Sequence, residues 1–392
     1  MALCRICGAI NCKKHSSLFE NVKRISEFSG SSPPEVFVGR YDYPNVYVGI
    51  LSPQEHGNTE ILSSQELWHK NRLKMPEILS LRSKLIYGRT KSNVKKAMLK
   101  TRFISTMQEV AMTSKPISTE FKLEKSIIEK NKEKDSYTPI ISNAALVKSV
   151  RLEENPIIDK KVDNLVNDND AKSVTAIAEL DRAKTPTSTI IKILSAGLLG
   201  RSILRKMVPT RWAITAVDDT LSKNKLRKIK YNHEINEILV FSSEYLGNHY
   251  EFLVLPDKFS FEVIEINQNN PNASWHDYES FLGRKTYATS VTGAYYANRL
   301  ALCEYLERIN KQSSCIVFRE IGDEYTQSMG VGILRQISRE AFSNPPEKFS
   351  TIQEALNKIQ SRIKLPINTF TDKSLILKNY GKQKRLENWF NQ

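Results

Sequence analysis

The sequence lacks several patterns that would assign it to a familiar class of protein. It has no run of about eighteen apolar residues, so no membrane-spanning helix is expected. Its start, MALCRICGAINCKKH, has no apolar core of a secretory signal. It also lacks a Walker loop, an H-E-x-x-H motif and a G-x-S-x-G motif. We therefore expect an intracellular protein without a membrane partner.

Cysteine is scarce, and three of the five cysteines lie near the start. Cys4, Cys7, Cys12 and His15 have the spacing C-x2-C-x4-C-x2-H, in which each two-residue gap lets a pair of side chains reach one ion. Four ligands leave no open position, so this pattern predicts a structural Zn²⁺ site. The alternative is a set of loose thiols. Two further residues, Cys303 and Cys315, lie in apolar stretches and are expected to be core thiols.

Positive charge is in excess, with 58 Lys and Arg against 43 Asp and Glu and a net charge of +15. A basic surface attracts polyanions such as nucleic acid. Residues 84–102 contain no acidic residue, and we predict a helix with Lys91, Lys95 and Arg102 near one face and Tyr87 able to stack on a base. The alternative is a solvated charged face. The residues predicted to bind DNA are Lys84, Arg89, Lys91, Lys95, Lys96, Lys100 and Arg102.

The apolar pattern predicts an α+β fold of mixed helices and antiparallel strands, with a zinc-binding segment at the start and a short tail at the end. Strands are predicted at 36–38, 46–50, 237–256 (two), 259–267 and 313–321. Helices are predicted over most of 65–110 and at 171–183, 187–199 (ended by Gly200), 211–229, 293–309, 330–342 and 350–362. The polar stretch 114–170 is expected to contain loops. The predicted divisions are 1–16, 17–170, 171–378 and 379–392.

The last residues include an apolar motif, Q-x-x-L-x-x-W-F, formed by Gln383, Leu386, Trp389 and Phe390. On a short helical turn these side chains share one side, while the residues between them remain in water. The motif resembles the one by which replication and repair proteins bind the sliding clamp PCNA. The alternative is a terminal helix packed on the body of the protein.

Four internal segments, together with the two ends, resemble the archaeal NreA family of DNA repair proteins. The segments are SPPEVFVGRYDYPNVYVG, GLLGRSILRKMVPTRWAITAVDD, YLGNHYEFLVLPDKFSFEVIE and TGAYYANRLALCEYLE. The resemblance implies a cysteine cluster of the zinc type, a clamp-binding C-terminus and a role in DNA damage repair with PCNA. The family pattern implies a cysteine at the last cluster position, where this chain has His15.

Two groups of charged residues in the body are candidates for chemistry. Asp218 lies seven residues beyond Arg211 and so shares its helix face, which would suit a divalent-metal or general-base carboxylate with a phosphate-binding arginine. The alternative is a surface pair of Asp219 with Lys223 and a core position for Trp212. Arg319 and Glu320 end a buried strand, where charges lie at a cleft or are paired. The candidate catalytic residues are Asp218, Asp219, Arg211, Arg319 and Glu320.

Three functions remain open from the sequence. The first is a clamp-recruited DNA repair factor, cytoplasmic and associated with the nucleoid, that contacts DNA through a basic surface. The second is a metal-dependent enzyme acting on nucleic acid or nucleotides. The third is a scaffold without catalytic activity that joins the clamp to another repair enzyme.

Overall fold

The computed structural model describes residues 24–99, 101–128 and 143–381, and within these ranges the predicted α+β fold is confirmed. The strands are β1 (Arg24–Ser32), β2 (Val36–Val38), β3 (Asn45–Ser52), β4 (Ile86–Asn93), β5 (Ile117–Ile128), β6 (Asn143–Leu152), β7 (Ile238–Tyr245), β8 (Asn248–Leu255), β9 (Ser260–Asn267), β10 (Asn270–Glu279), β11 (Ser314–Ile321) and β12 (Glu347–Phe349).

The α-helices of the described residues alternate irregularly with these strands. They are α1 (Gln65–Lys70), α2 (Met75–Ser83), α3 (Arg102–Met112), α4 (Lys160–Asn167), α5 (Ser173–Arg182), α6 (Thr187–Ser195), α7 (Thr210–Ile229), α8 (Gly293–Ile309), α9 (Val331–Ala341), α10 (Ile352–Gln360), α11 (Asn368–Thr371) and α12 (Leu375–Asn379). Short 3₁₀ segments occupy Glu60–Leu62, Val94–Met98 and Ser202–Leu204. Among the described helices, none is long and apolar enough to cross a bilayer.

Two six-stranded mixed sheets organise the part of the chain that the structure describes. The first has the strand order β1-β5-β6-β4-β3-β2 and the second has the order β10-β9-β11-β8-β7-β12. Neighbouring strands run antiparallel, except for the parallel pairs β4–β6 and β9–β11. Each sheet therefore has one place where two carboxyl ends lie side by side, the arrangement at which clefts form in open sheets.

Apolar side chains form a separate core for each sheet. In the first sheet, Val36, Val38, Val46 and Val48 alternate inward and pack with α3 to α7. In the second, one face packs on α8 and α9 together with α1 and α2, and the other face packs on α10 to α12. Helix α7 packs against α8, and α8 packs against α9, so this helical layer joins the two halves.

Buried carboxylates on the outer face of the second sheet hold the C-terminal segment in place. Glu251 receives two hydrogen bonds from Arg362, at 2.8 and 2.7 Å. Glu320 accepts from the backbone N–H groups of residues 364 and 365. Glu262 accepts from Ser374 Oγ at 2.6 Å and from the first two N–H groups of α12. These charge-assisted bonds fix α12 to the sheet.

The predicted secondary structure is confirmed over most of the second half, and in the first half the helix predicted over residues 86–93 is wrong. Residues 86–93 form a strand rather than a helix, because Ile86 and Gly88 face the core while Tyr87 and Arg89 face the opposite side. The stretch 114–170 contains β5 and β6, whose buried side chains alternate. The loops expected within 114–170 are present at 153–159 and 168–170. Helix α6 ends at Ser195, and Gly197 rather than Gly200 follows its C-cap with φ +77°.

Candidate functional site

A cavity of about 2130 Å³ lies between the two halves of the protein. One wall is the face of the first sheet that points away from its core. The opposite wall comes from the carboxyl ends of the parallel strands β9 and β11 and the loop that leads into α9. The first turns of α6, α7, α8 and α9 also reach it. A cavity of this size with convergent polar groups is the leading candidate for a ligand site.

The wall formed by the first sheet is a regular array of side chains. Phe37 on β2, Gly49 on β3 and Arg89 on β4 lie in one row, because each is paired with the next. Tyr47 and Lys91 form part of the next row. Neighbouring strands are ~4.8 Å apart, and the Tyr87 ring lies over Gly49 between Phe37 and Arg89.

Arg89 has a buried hydrogen-bond donor that a ligand in the cavity could satisfy. Its guanidinium lies 4.0 Å from the centre of the Tyr47 ring and 5.8 Å from that of Tyr87, so the rings orient it. Its Nε is buried and finds no hydrogen-bond acceptor among the described residues. A buried unsatisfied donor costs about 1–3 kcal/mol, and more for a charged group. An incoming phosphate oxygen would satisfy it.

Gly49 makes room for this arrangement. A Cβ at position 49 would lie 2.8 Å from the Tyr87 ring and 2.9 Å from Arg89 Cα, and closer still to the carbonyl oxygen of Gly88. These distances are shorter than real Cβ contacts, so only glycine lets β3 and β4 approach so closely here. The glycine therefore sets the position of Arg89.

Aromatic side chains continue from this wall to the mouth of the cavity. Tyr41 is 79% exposed, and the Arg40 guanidinium carbon lies 5.2 Å from its ring centre. Trp212, at the start of α7, is 46% exposed, and its ring centre lies 5.1 Å from that of Tyr43. Large exposed rings beside cations suit the stacking of nucleobases. The core position for Trp212 that one interpretation of the sequence predicted is wrong.

Four helices begin at this cavity without a side-chain cap. Their N-cap residues are Pro186, Pro209, Thr292 and Gly330, and none makes a capping bond through its side chain. Free N–H groups and the positive ends of helix dipoles favour anions. Thr292 has φ 59° and ψ −122°, a conformation that L-residues adopt only when their surroundings impose it.

The candidate carboxylates of α7 lie in the helical layer that joins the halves. Asp218 is fully buried, and Arg335 of α9 holds both its oxygens, at 3.0 and 2.7 Å. Asp219 binds Arg299 of α8. It also pairs with Lys223, one helical turn further on, at 2.8 Å, which confirms the predicted pairing of Asp219 with Lys223. Both aspartates therefore have arginine partners.

Among the other candidate catalytic residues, the structure separates Arg319 from Glu320. Arg319 lines the cavity, bonded to Glu265 at 2.8 Å and to Asn248. Glu320 points to the outer face, where it holds the C-terminal segment. Arg211 is exposed at the mouth of the cavity. In residues 24–99, 101–128 and 143–381, no three His, Cys, Asp or Glu side chains converge as metal ligands.

The predicted DNA-binding residues do not share one helical face, because 86–93 is a strand. Arg89 enters the cavity, whereas Lys84 pairs with Glu55 at 3.4 Å and Lys91 pairs with Asp42 at 3.4 Å. A second hollow of about 790 Å³ is lined by Asn45, Lys91, Ser92, Asn93, Lys95, Lys96 and Leu99. Arg102 is exposed at the start of α3.

Three sets of predicted residues lie outside the described ranges: the metal ligands Cys4, Cys7, Cys12 and His15, the clamp motif Gln383, Leu386, Trp389 and Phe390, and Lys100. The sequence reasoning also missed residues. It gave no role to Glu35 or Phe37, although the alternation in EVFV indicates that these two residues share a strand face.

The fold and the site together define an α+β protein whose two mixed sheets enclose a cleft lined with aromatic and cationic side chains. The chain matches the family described as "Archaeal Nre, N-terminal" over residues 3–276 and "Archaeal Nre, C-terminal" over residues 279–389. It belongs to the archaeal Nre family, and the resemblance drawn from its segments is confirmed.

Named relatives cover nearly the whole chain. It is 33% identical to "DNA repair protein NreB" of Archaeoglobus fulgidus over 390 residues, which cover 97% of this chain and 96% of the relative. It is 32% identical to "DNA repair protein NreA" of the same organism, with 91% of each chain covered. It is 29% identical to "DNA repair protein NreA" of Haloferax volcanii, with 91% and 88% covered. No solved structure matches it.

Proposed function

We propose that this protein is a DNA repair factor that binds an unpaired stretch of DNA in the cleft between its sheets. The observation that carries the proposal is the buried, unsatisfied Nε of Arg89 in an aromatic setting. The names of the relatives, DNA repair proteins over nearly the full length, support the same conclusion. A phosphate would bond to Arg89, and bases would stack on the neighbouring rings.

The aromatic lining favours unpaired nucleotides over intact duplex. Rings such as Phe37 and Tyr47 lie within the cleft, and Trp212 and Tyr41 lie at its mouth. A base can stack on such a ring only after leaving its own stack, as it does in single strands. The second hollow contains lysines, of which Lys91 lies two residues beyond Arg89 on β4. These lysines would bind the phosphate backbone of the DNA where it leaves the cleft.

Replacing Arg89 with alanine is expected to weaken binding of a single-stranded oligonucleotide by ten- to a hundredfold, since a hydrogen bond to a charged group contributes about 1.5–3 kcal/mol. The slope of log K against log salt should also become shallower by about 0.7, the value for one phosphate contact on a single strand. Fluorescence anisotropy over a salt series measures both quantities.

Arg227→Ala is the matched control, because it removes the same charge from an exposed position of α7 outside the cavity lining. It should change affinity less than threefold. If the two variants bind equally well, the cleft is not the DNA site.

We also propose that the tail recruits the protein to the PCNA sliding clamp. The support is the spacing of Gln383, Leu386, Trp389 and Phe390. Trp389→Ala should weaken clamp binding by about tenfold or more, because a buried aromatic anchor dominates a small peptide interface. Calorimetry with purified clamp measures the loss, with Gln392→Ala as the control outside the motif. Equal affinity of both variants would contradict recruitment by this tail.

The cluster at the start is proposed to bind a structural Zn²⁺ through Cys4, Cys7, Cys12 and His15, on the support of its ligand spacing. Elemental analysis of the purified protein should find one zinc per chain, and Cys4→Ser with Cys7→Ser should remove it. A metal-free wild-type protein purified with zinc present would contradict the site.

A further inference from the structure

Four of the charged side chains that line the cavity form one electrostatically interacting group, and DNA binding as described above does not use them. They are Glu35 just before β2, Glu66 of α1, Arg82 of α2 and Lys192 of α6. All four are partly buried. Two carboxylates and two cations from four different segments therefore lie near one another in the cleft.

Glu35 is the best placed of the two carboxylates. It lies two residues before Phe37, so its side chain shares the cavity face of the strand while Val36 packs into the core. Its backbone is fixed, because its carbonyl accepts a hydrogen bond from Leu51 N–H at 3.1 Å. Phe37 and Tyr87, whose rings meet edge to face with centres 5.5 Å apart, form the adjoining aromatic surface.

The surroundings of Glu35 favour its protonated form. Burial raises the pKa of its carboxyl, the cations Lys192 and Arg82 oppose that rise, and the charge of Glu66 adds to it. The net direction is upward. A carboxyl in a cleft with a raised pKa is suited to give up a proton during a reaction near neutral pH.

We propose that the cleft is catalytic, that it hydrolyses the N-glycosidic bond of an unpaired nucleotide, and that Glu35 is the proton donor. The inference rests on the proposed function, because the nucleotide must first enter the cleft. A pair of carboxylates is the machinery that cleaves glycosidic bonds, one as acid and the other as base or nucleophile. The aromatic surface beside Glu35 suits an extruded base, which such pockets hold against aromatic and apolar side chains.

The reaction adds one water molecule across the bond between C1′ and the base nitrogen. Glu35 transfers its proton to the leaving base, and the bond breaks with its electron pair on nitrogen. The water oxygen bonds to C1′, and Glu66 takes the proton that this water loses. Proton exchange between the two carboxyl groups restores the site. The products are the free base and an abasic sugar, while Arg82 and Lys192 bind the phosphates on either side.

The experiment incubates the full-length protein with single-stranded oligonucleotides containing uracil, hypoxanthine, 8-oxoguanine or 3-methyladenine, and measures free base and abasic sites. The wild type should release at least one of these bases. Glu35→Gln should reduce the rate at least a hundredfold without weakening binding. The wild-type rate should fall as pH rises, because the acidic form of Glu35 is lost, and the residual rate of the variant should lack that dependence.

Two further variants keep the test decisive. Glu124→Gln removes the same charge from an exposed position of β5 and should retain the full rate. If Glu35→Gln folds poorly, Glu35→Asp takes its place in the test. This variant keeps a carboxyl group and should retain part of the rate. Cleft binding without release of any base would overturn the catalytic proposal and leave the binding function intact. Oligonucleotide affinity that is unchanged in Arg89→Ala would show that the cleft does not bind DNA and would remove both proposals.

Discussion

Replacing Asp218 with asparagine should lower the free energy of unfolding by about 3–5 kcal/mol, the usual range when one partner of a buried ion pair is removed. The Asp218 side chain is fully buried, and both its oxygens accept hydrogen bonds from Arg335. Asparagine leaves the guanidinium without its counter-charge in the helical layer that joins the two halves. Urea denaturation of wild type and variant gives the difference.

Two controls isolate the ion pair as the cause. Asp170→Asn changes an exposed aspartate and should shift stability by less than about 0.5 kcal/mol. The double variant Asp218→Leu with Arg335→Met removes both charges and should recover part of the loss, because apolar pairs of similar volume often replace buried ion pairs. A single Asp218→Asn variant as stable as wild type would show that this pair does not hold the halves together.

Replacing Gly49 with alanine should destabilise the protein by about 3 kcal/mol, the upper part of the usual range for overpacking. The new methyl group would press on the backbone of β4 and on the Tyr87 ring, and neither the Gly88 carbonyl nor Arg89 Cα can move without shifting the strand. Because Arg89 lies directly across from Gly49, DNA affinity should fall as well. Thermal unfolding and oligonucleotide anisotropy measure the two effects.

Gly322→Ala is the matched control for this prediction. Gly322 also lines the cavity, but a Cβ there would meet its nearest neighbours at 3.5 Å, which is an ordinary contact. The variant should be as stable as wild type and bind DNA equally well. Equal stability and equal DNA affinity of the two alanine variants would mean that β3 and β4 can move apart with little loss of stability.

Local periodicity was enough to predict most of the second half of the fold. Helix α8 and strands β7 to β9 and β11 have regular apolar patterns and clear turn residues, so their predicted positions are confirmed. Glu262 and Glu265, three residues apart on β9, face opposite sides of the sheet, since Glu262 binds α12 and Glu265 binds Arg319. β4 was missed because its lysines and arginine resemble a solvated helix when strand pairing is ignored.

The candidate site was harder to predict, because it is assembled from distant segments. Its charge makes Arg89 a candidate from the sequence, but the position of its guanidinium depends on the Tyr47 ring of a neighbouring strand. In the sequence, Asp218 is a candidate because it is an acidic residue near Arg211. Its actual partner, Arg335, lies far along the chain. No spacing rule within one segment reports such pairs, which arise from packing between elements.

The anchoring of α12 by Glu262 limits how a sliding clamp could carry this protein. Helix α12 ends at Asn379, and the proposed clamp motif begins at Gln383. The residues between them span at most ~14 Å when fully extended, at ~3.5 Å per residue. If the proposed clamp binding is correct, the motif would therefore hold the ring within ~14 Å of the end of α12, so that the clamp and the body of the protein are close neighbours.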